Sequence, residues 1–124
     1  MSLEENKAII RKWIEAINLR DFTVLEEFMA SNYVDHTNQL RGREDVKRFY
    51  DNAQKDFPDF QRTIEDIIAE GDKVWVHVKY TGTSLAGKKI ESEVVTIFRI
   101  VNRKIVEGRS IPQLVTREKK LKVT

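Results

Sequence analysis

Pro58 divides this chain into two stretches with different hydrophobic rhythms. Before it, apolar residues recur every three or four positions. Ser2-Leu3-Glu4-Glu5 has the form of a capping box, and Ile10, Trp13, Ile14 and Ile17 then mark one stripe on a helix ending near Leu19. Asp21 is placed to cap a second helix with Phe22, Leu25, Phe28 and Met29 facing inward. A short strand is expected at Tyr33 to Asp35. A third helix is expected over 43–56, with Val46, Phe49, Tyr50, Ala53 and Phe57 on one face. Proline lacks the backbone donor and disfavours α geometry in the residue before it, so that helix stops there.

Beyond Pro58 the period is two. Phe60, Arg62 and Ile64 share a face until Asp66-Ile67-Ile68 breaks the alternation in the manner of a bulge. Glu70-Gly71-Asp72 reads as a hairpin turn. Val74, Val76, Val78 and Tyr80 then share one face of a strand, and Trp75, His77, Lys79 and Thr81 the other. Ser84 to Lys88 closes a second hairpin, 93–101 forms a third long strand, Asn102-Arg103 makes a tight turn, and 105–115 forms the last strand. Helices first and antiparallel hairpins afterwards predict an α+β domain. Three N-terminal helices pack on one face of a strongly curved, mostly antiparallel sheet, and a conical cavity is left between the layers.

Composition excludes several chemistries. There is no cysteine, hence no disulfide, thiol nucleophile or cysteine metal site. The two histidines, His36 and His77, are too far apart for a metal-binding His pair on one element. No metal or cofactor is therefore expected. No apolar run reaches membrane-spanning length and no basic-then-apolar leader is present, so a cytoplasmic location without membrane contact is expected. The chain carries a net charge of +2, but Arg117, Lys119, Lys120 and Lys122 against Glu118 account for +3 of it. The body is therefore close to neutral and offers no basic stripe to nucleic acid. The expected organisation is one domain, 1–115, followed by a basic, solvated tail, 116–124.

Five short segments carry more than periodicity. They are Asn18-Leu19-Arg20-Asp21, Tyr33-Val34-Asp35-His36, Gly42-Arg43-Glu44-Asp45-Val46, Phe57-Pro58-Asp59-Phe60 and Lys104-Ile105-Val106-Glu107. In order and spacing, over roughly Glu4 to Pro112, they resemble the SnoaL-like polyketide cyclases of the NTF2-like superfamily. The resemblance implies the NTF2-like cone. It also implies an active site in which an aspartate serves as acid/base for an intramolecular aldol closure, without metal or cofactor. The family's His-Trp-Asp corresponds to Gly108-Arg109-Ser110 here, and Val94 and Thr96 stand where its cyclases carry polar partners. An unactivated serine hydroxyl cannot replace a carboxylate in proton transfer at neutral pH, so the resemblance implies loss of that cyclase chemistry.

The ketosteroid isomerases of the same superfamily are similar in the first helix, through Lys12-Trp13-Ile14-Glu15 and Asp21. By that resemblance Trp13 replaces an oxyanion-donating tyrosine, Thr96 replaces the neutral acid, and His36 falls near the base. Steroid-type isomerisation lacks its electrostatic partners here.

His36 is then the expected catalytic group, a titratable imidazole at the cavity rim beside Asp35. Adjacent strand residues face opposite ways, however, so Asp35 orients His36 only if the strand has already ended. A loop histidine bonding backbone groups is the competing reading. Trp13, Tyr33, Phe49, Val94, Thr96, Phe98 and Ser110 are expected to line a chamber for a small apolar carbonyl or polyketide-like compound. Trp13, Phe49 and Phe98 also sit where plain packing would put them. Trp75 and His77, on the other sheet face, are expected at a homodimer interface. A non-catalytic dimerisation or ligand-sensing module is the alternative function.

Overall fold

The computed structural model describes residues 2–112. Helix α1 (Leu3–Asn18) starts at the expected capping box: Ser2 Oγ accepts from the Glu5 amide, and the Glu5 carboxylate accepts from the Ser2 amide. Its stripe, Ile10, Trp13, Ile14 and Ile17, is buried. The second helix is much shorter than its apolar spacing predicts. Asp21 caps a single 3-10 turn (Phe22–Val24), one α-helical turn follows (α2, Leu25–Phe28), and the chain is extended from Met29. Strand β1 therefore spans Met29–Asp35, seven residues where Tyr33 to Asp35 was expected.

A two-residue strand β2 (Leu40–Arg41) folds back on β1 and leads into helix α3 (Gly42–Asp56). Gly42 has φ +80, a conformation that favours glycine at this sharp entry. Asp45 accepts from the Arg41 amide at the first turn, which holds its carboxyl below the usual range. Arg43 donates twice to the Met29 carbonyl, fixing α3 across β1.

Strands β3 (Gln61–Glu70), β4 (Lys73–Thr83), β5 (Lys89–Val101) and β6 (Lys104–Pro112) form antiparallel neighbours in sequence order. The bulge expected near Asp66 is present as a register shift between Ile64 and Asp66. Asn102 and Arg103 both take positive φ, as a tight two-residue hairpin requires. Strand β5 begins four residues earlier than the alternation suggests, because its pairing with β4 continues to Thr83↔Lys89.

The sheet order is β2-β1-β6-β5-β4-β3, and β1 pairs with β6 in parallel. That parallel pair adds β1 beside β6, so that Tyr33 and inner residues of β4, β5 and β6 line one space under the helices. The α+β cone with three helical segments on a curved, mostly antiparallel sheet is the fold expected. The core runs from Ile10, Trp13 and Ile17 through Met29 and Val46 to Val74, Val76 and Ile105. The basic tail, 116–124, and the end of the last strand lie outside the described residues. No helix among the described residues is long and apolar enough to cross a membrane.

Candidate active site: a chamber between helices and sheet

The core does not fill the space between the layers. A cavity of about 350 Å³ remains, within the range of small-molecule sites. Helix α1 supplies Trp13, Ile14 and Ile17 to its wall, α3 supplies Phe49, Tyr50 and Ala53, and β1 supplies Tyr33 and Asp35. The long strands contribute alternate residues: Arg62 from β3, Val76, Val78 and Tyr80 from β4, Val94, Thr96 and Phe98 from β5, and Ser110 from β6. All seven residues expected around a ligand are thus among those lining it. Only Phe49 is appreciably exposed, at the mouth.

Thr96 and Ser110 face each other directly in the β5–β6 register, with their hydroxyls 3.1 Å apart. Each satisfies the other at a half-buried position where an unpaired hydroxyl would be costly. Ser110 is also held through its backbone: its amide donates to Thr37 Oγ1 (2.7 Å), and the Thr37 hydroxyl donates to its carbonyl (3.2 Å). Two residue pairs along, Phe98 faces Gly108. The Tyr33 hydroxyl sits over Gly108, so close that a β-carbon there would lie 2.3 Å from it.

Burial raises the Tyr33 phenol well above its ordinary pKa and pushes Tyr50 up to about 12. Tyr80 is raised too, first by burial, with the positive field of Arg62 and hydrogen bonding to Thr96 pulling partly the other way. The three phenols are therefore neutral donors at physiological pH, suited to hydrogen-bonding a carbonyl oxygen.

His36 requires a correction. The expected rim position belongs instead to Asp35, which lines the cavity, whereas His36 is not among the lining residues. The His36 amide bonds the Gly108 carbonyl (2.9 Å) as part of the last pairing of β1, and where the turn begins its side chain leaves the cavity. His36 Nε2 donates to Glu107 Oε2 at 2.7 Å. Glu107 also accepts from Arg99, which in turn bonds Asp72. The His36 hydrogen bond, followed by that of Arg99, holds the Glu107 carboxyl below its usual range. Asp35 meanwhile accepts from the amides of Thr37 and Asn38 and from the Asn38 side chain, tying it into the turn at the mouth. Among the described residues no group of three or more His, Asp or Glu side chains converges as metal ligands.

Arg62, Tyr50 and Tyr80 are the polar lining groups that sequence reasoning left as packing or strand residues. A signal for Arg62 existed: an arginine between Phe60 and Ile64 on the inward face of an alternating strand.

The sequence model of the SnoaL-like polyketide cyclases matches residues 7–121, nearly the whole chain. The chain belongs to that family. Solved structures of similar fold include a protein from Jannaschia sp. CCS1 described as a SnoaL-like polyketide cyclase. It shares 21% identity at a TM-score of 0.80, over 90% of this chain and 88% of that one. Another, from Bacillus cereus ATCC 10987 and described as a polyketide cyclase, shares 25% identity at 0.80, over 88% and 74% of the two chains. A third, from Catenulispora acidiphila, has a ketosteroid isomerase-like fold and was solved with trimethylamine; it shares 21% identity at 0.74, over 86% and 85%. No curated protein matches the chain significantly in sequence. In this SnoaL-like chain, then, the last strand brings Gly108 beneath Tyr33 and Ser110 against Thr96.

Proposed function

We propose that this SnoaL-like protein binds a small, largely apolar carbonyl or polyketide-like compound in the chamber between α1, α3 and the sheet. The observation that carries this is the unfilled, mostly apolar cavity into which the hydroxyls of Thr96 and Ser110 and the phenols of Tyr50 and Tyr80 project. Such a surface orients a carbonyl through hydrogen bonds while its walls take up the hydrocarbon. Efficient aldol closure is not part of the proposal. Residue 110 is a serine, Asp35 is bound into its turn, and His36 is paired with Glu107 away from the cavity. Binding, with at most slow proton transfer, is the reading these groups support.

Trp13 and Trp75 are the two tryptophans, so Trp75→Phe leaves Trp13, a cavity residue, as sole reporter. Titrating this variant with cyclic ketones, lactones and aromatic polyketide fragments is expected to give saturable changes in Trp13 emission for a subset of them. A flat response to every compound would remove the ligand-binding reading.

A second element concerns the outer sheet face. Trp75 (43% exposed), Ile68 and Ile111 lie open there, more large apolar surface than an isolated sheet face favours. His77 lies beside Trp75 and pairs with Glu93 at 2.6 Å. We propose a homodimer formed through this face. Sedimentation is expected to give a dimer for the wild type and a monomer for Trp75→Glu. A wild type that sediments as a monomer at tens of micromolar would rule the proposal out.

A further inference from the structure

Arg62 is held unlike Arg20, Arg43 and Arg99. Arg20 donates to the carbonyls of Asn18, Pro58 and Phe60, Arg43 to that of Met29, and Arg99 to the carboxylates of Asp72 and Glu107. The Arg62 guanidinium makes no hydrogen bond to a carbonyl or carboxylate oxygen among the described residues, and it enters no ion pair there. Aromatic faces surround it instead. Its central carbon lies 4.9 Å from the ring centroid of Tyr50, 4.6 Å from that of Phe60 and 5.6 Å from that of Tyr80.

Ring faces attract a cation, but they supply no in-plane oxygen for its N–H groups. Three rings therefore fix where the guanidinium sits; the Tyr80 phenol oxygen accepts from it, and no carbonyl or carboxylate among the described residues takes its remaining N–H groups. The backbone beneath is equally fixed. The Asn18 carboxamide pairs with both polar groups of the Arg62 main chain, donating to its carbonyl at 2.8 Å and accepting from its amide at 2.9 Å. The side chain is half-buried and lines the chamber. Its natural partner inside, Asp35, is already engaged by Thr37 and Asn38. A positioned cation that lines an apolar chamber and forms no ion pair among the described residues, with Asp35 of the same lining turned to Thr37 and Asn38, can offer its edge to an incoming anion.

We propose that the compound taken up by this chamber carries a carboxylate, which the Arg62 guanidinium receives in a two-point hydrogen-bonded pair while the hydrocarbon body rests against Trp13 and Phe98. This rests on the chamber being a ligand site and narrows the ligand class from neutral carbonyl compounds to aromatic or polyketide acids. A planar guanidinium matches a carboxylate bidentately, whereas a neutral ester presents a weaker acceptor with no charge.

Acid and ester pairs make the test: benzoate, 2-naphthoate and salicylate against their methyl esters, measured by calorimetry at pH 7 on wild type, Arg62→Gln and Arg62→Lys. The expected result is at least a tenfold preference for acid over ester in the wild type. In Arg62→Gln that preference is lost while ester affinity is little changed, and in Arg62→Lys it is retained in part. Rising salt should erode the wild-type preference. Equal binding of acid and ester by the wild type, or a preference that survives Arg62→Gln, overturns the carboxylate assignment and leaves the chamber standing. Binding of neither class overturns the assignment together with the ligand reading beneath it. If Arg62→Gln does not fold, the wild-type comparison, its salt dependence and the lysine variant still decide.

Discussion

Gly108→Ala is expected to destabilise this protein although the change adds a single methyl group. The new β-carbon would lie 2.3 Å from the Tyr33 hydroxyl, far inside contact distance. Tyr33 cannot simply swing away, because its ring is buried in the core. The next atoms, Tyr33 Cζ and Phe98 Cδ1 at 3.4 and 3.5 Å, are at ordinary contact distance. The clash therefore lies with the hydroxyl alone. Overpacking of this kind costs about 1–3 kcal/mol, or a melting temperature lowered by roughly 5–15 °C at this chain length. Combining it with Tyr33→Phe, which removes the hydroxyl, should recover most of the loss and give a coupling of about 1–2 kcal/mol in a double-mutant cycle. Thermal melts of the two single variants and the pair measure this. If the two changes prove additive, the hydroxyl is not the obstacle.

Trp13→Ala is expected to cost more, about 3–5 kcal/mol, lowering the melting temperature by roughly 10–25 °C. Trp13 is only 2% exposed and stands between two roles. On one side its ring packs against Tyr50, edge-on with centroids 6.1 Å apart; on the other it faces the chamber. Truncation removes that packing and enlarges the cavity, and the neighbours are strand and helix residues with little freedom to collapse inward. Trp13→Phe keeps most of the apolar volume and should fall within about 2 kcal/mol of wild type. Chemical denaturation with an unchanged slope would assign the loss to the folded state. A cost below about 1 kcal/mol for Trp13→Ala would mean that the ring is not part of the core.

Much of the fold was legible because its signals are local. The capping box at Ser2–Glu5, the stripe Ile10-Trp13-Ile14-Ile17, the stop at Pro58, the bulge near Asp66 and the turn at Asn102-Arg103 each depend on a few neighbouring residues. The second helix failed for the opposite reason. Phe22, Leu25, Phe28 and Met29 satisfy a helical spacing, yet Met29 pairs with Ile105 of β6, seventy-six positions away, and that parallel ladder draws the chain into strand. A local pattern cannot weigh a partner so distant. His36 was misplaced for a related reason: its amide bonds the Gly108 carbonyl and its side chain pairs with Glu107, both on β6, more than seventy positions away.

The inward face of β4 followed from alternation, since each strand residue is committed to one side by the pleat, while Val94 and Thr96 of β5 entered through the resemblance to the family. Which inward residues then meet is settled by register, curvature and the helix laid across them. That Thr96 opposes Ser110 at 3.1 Å, that Tyr33 covers Gly108, and that Arg62 lies among rings from α3, from β4 and from the residue preceding β3 are products of the packed chain. Periodicity specifies the face on which a side chain stands. Only the packed chain determines its neighbours there, because those neighbours come from segments whose separation in sequence carries no trace of their distance in space.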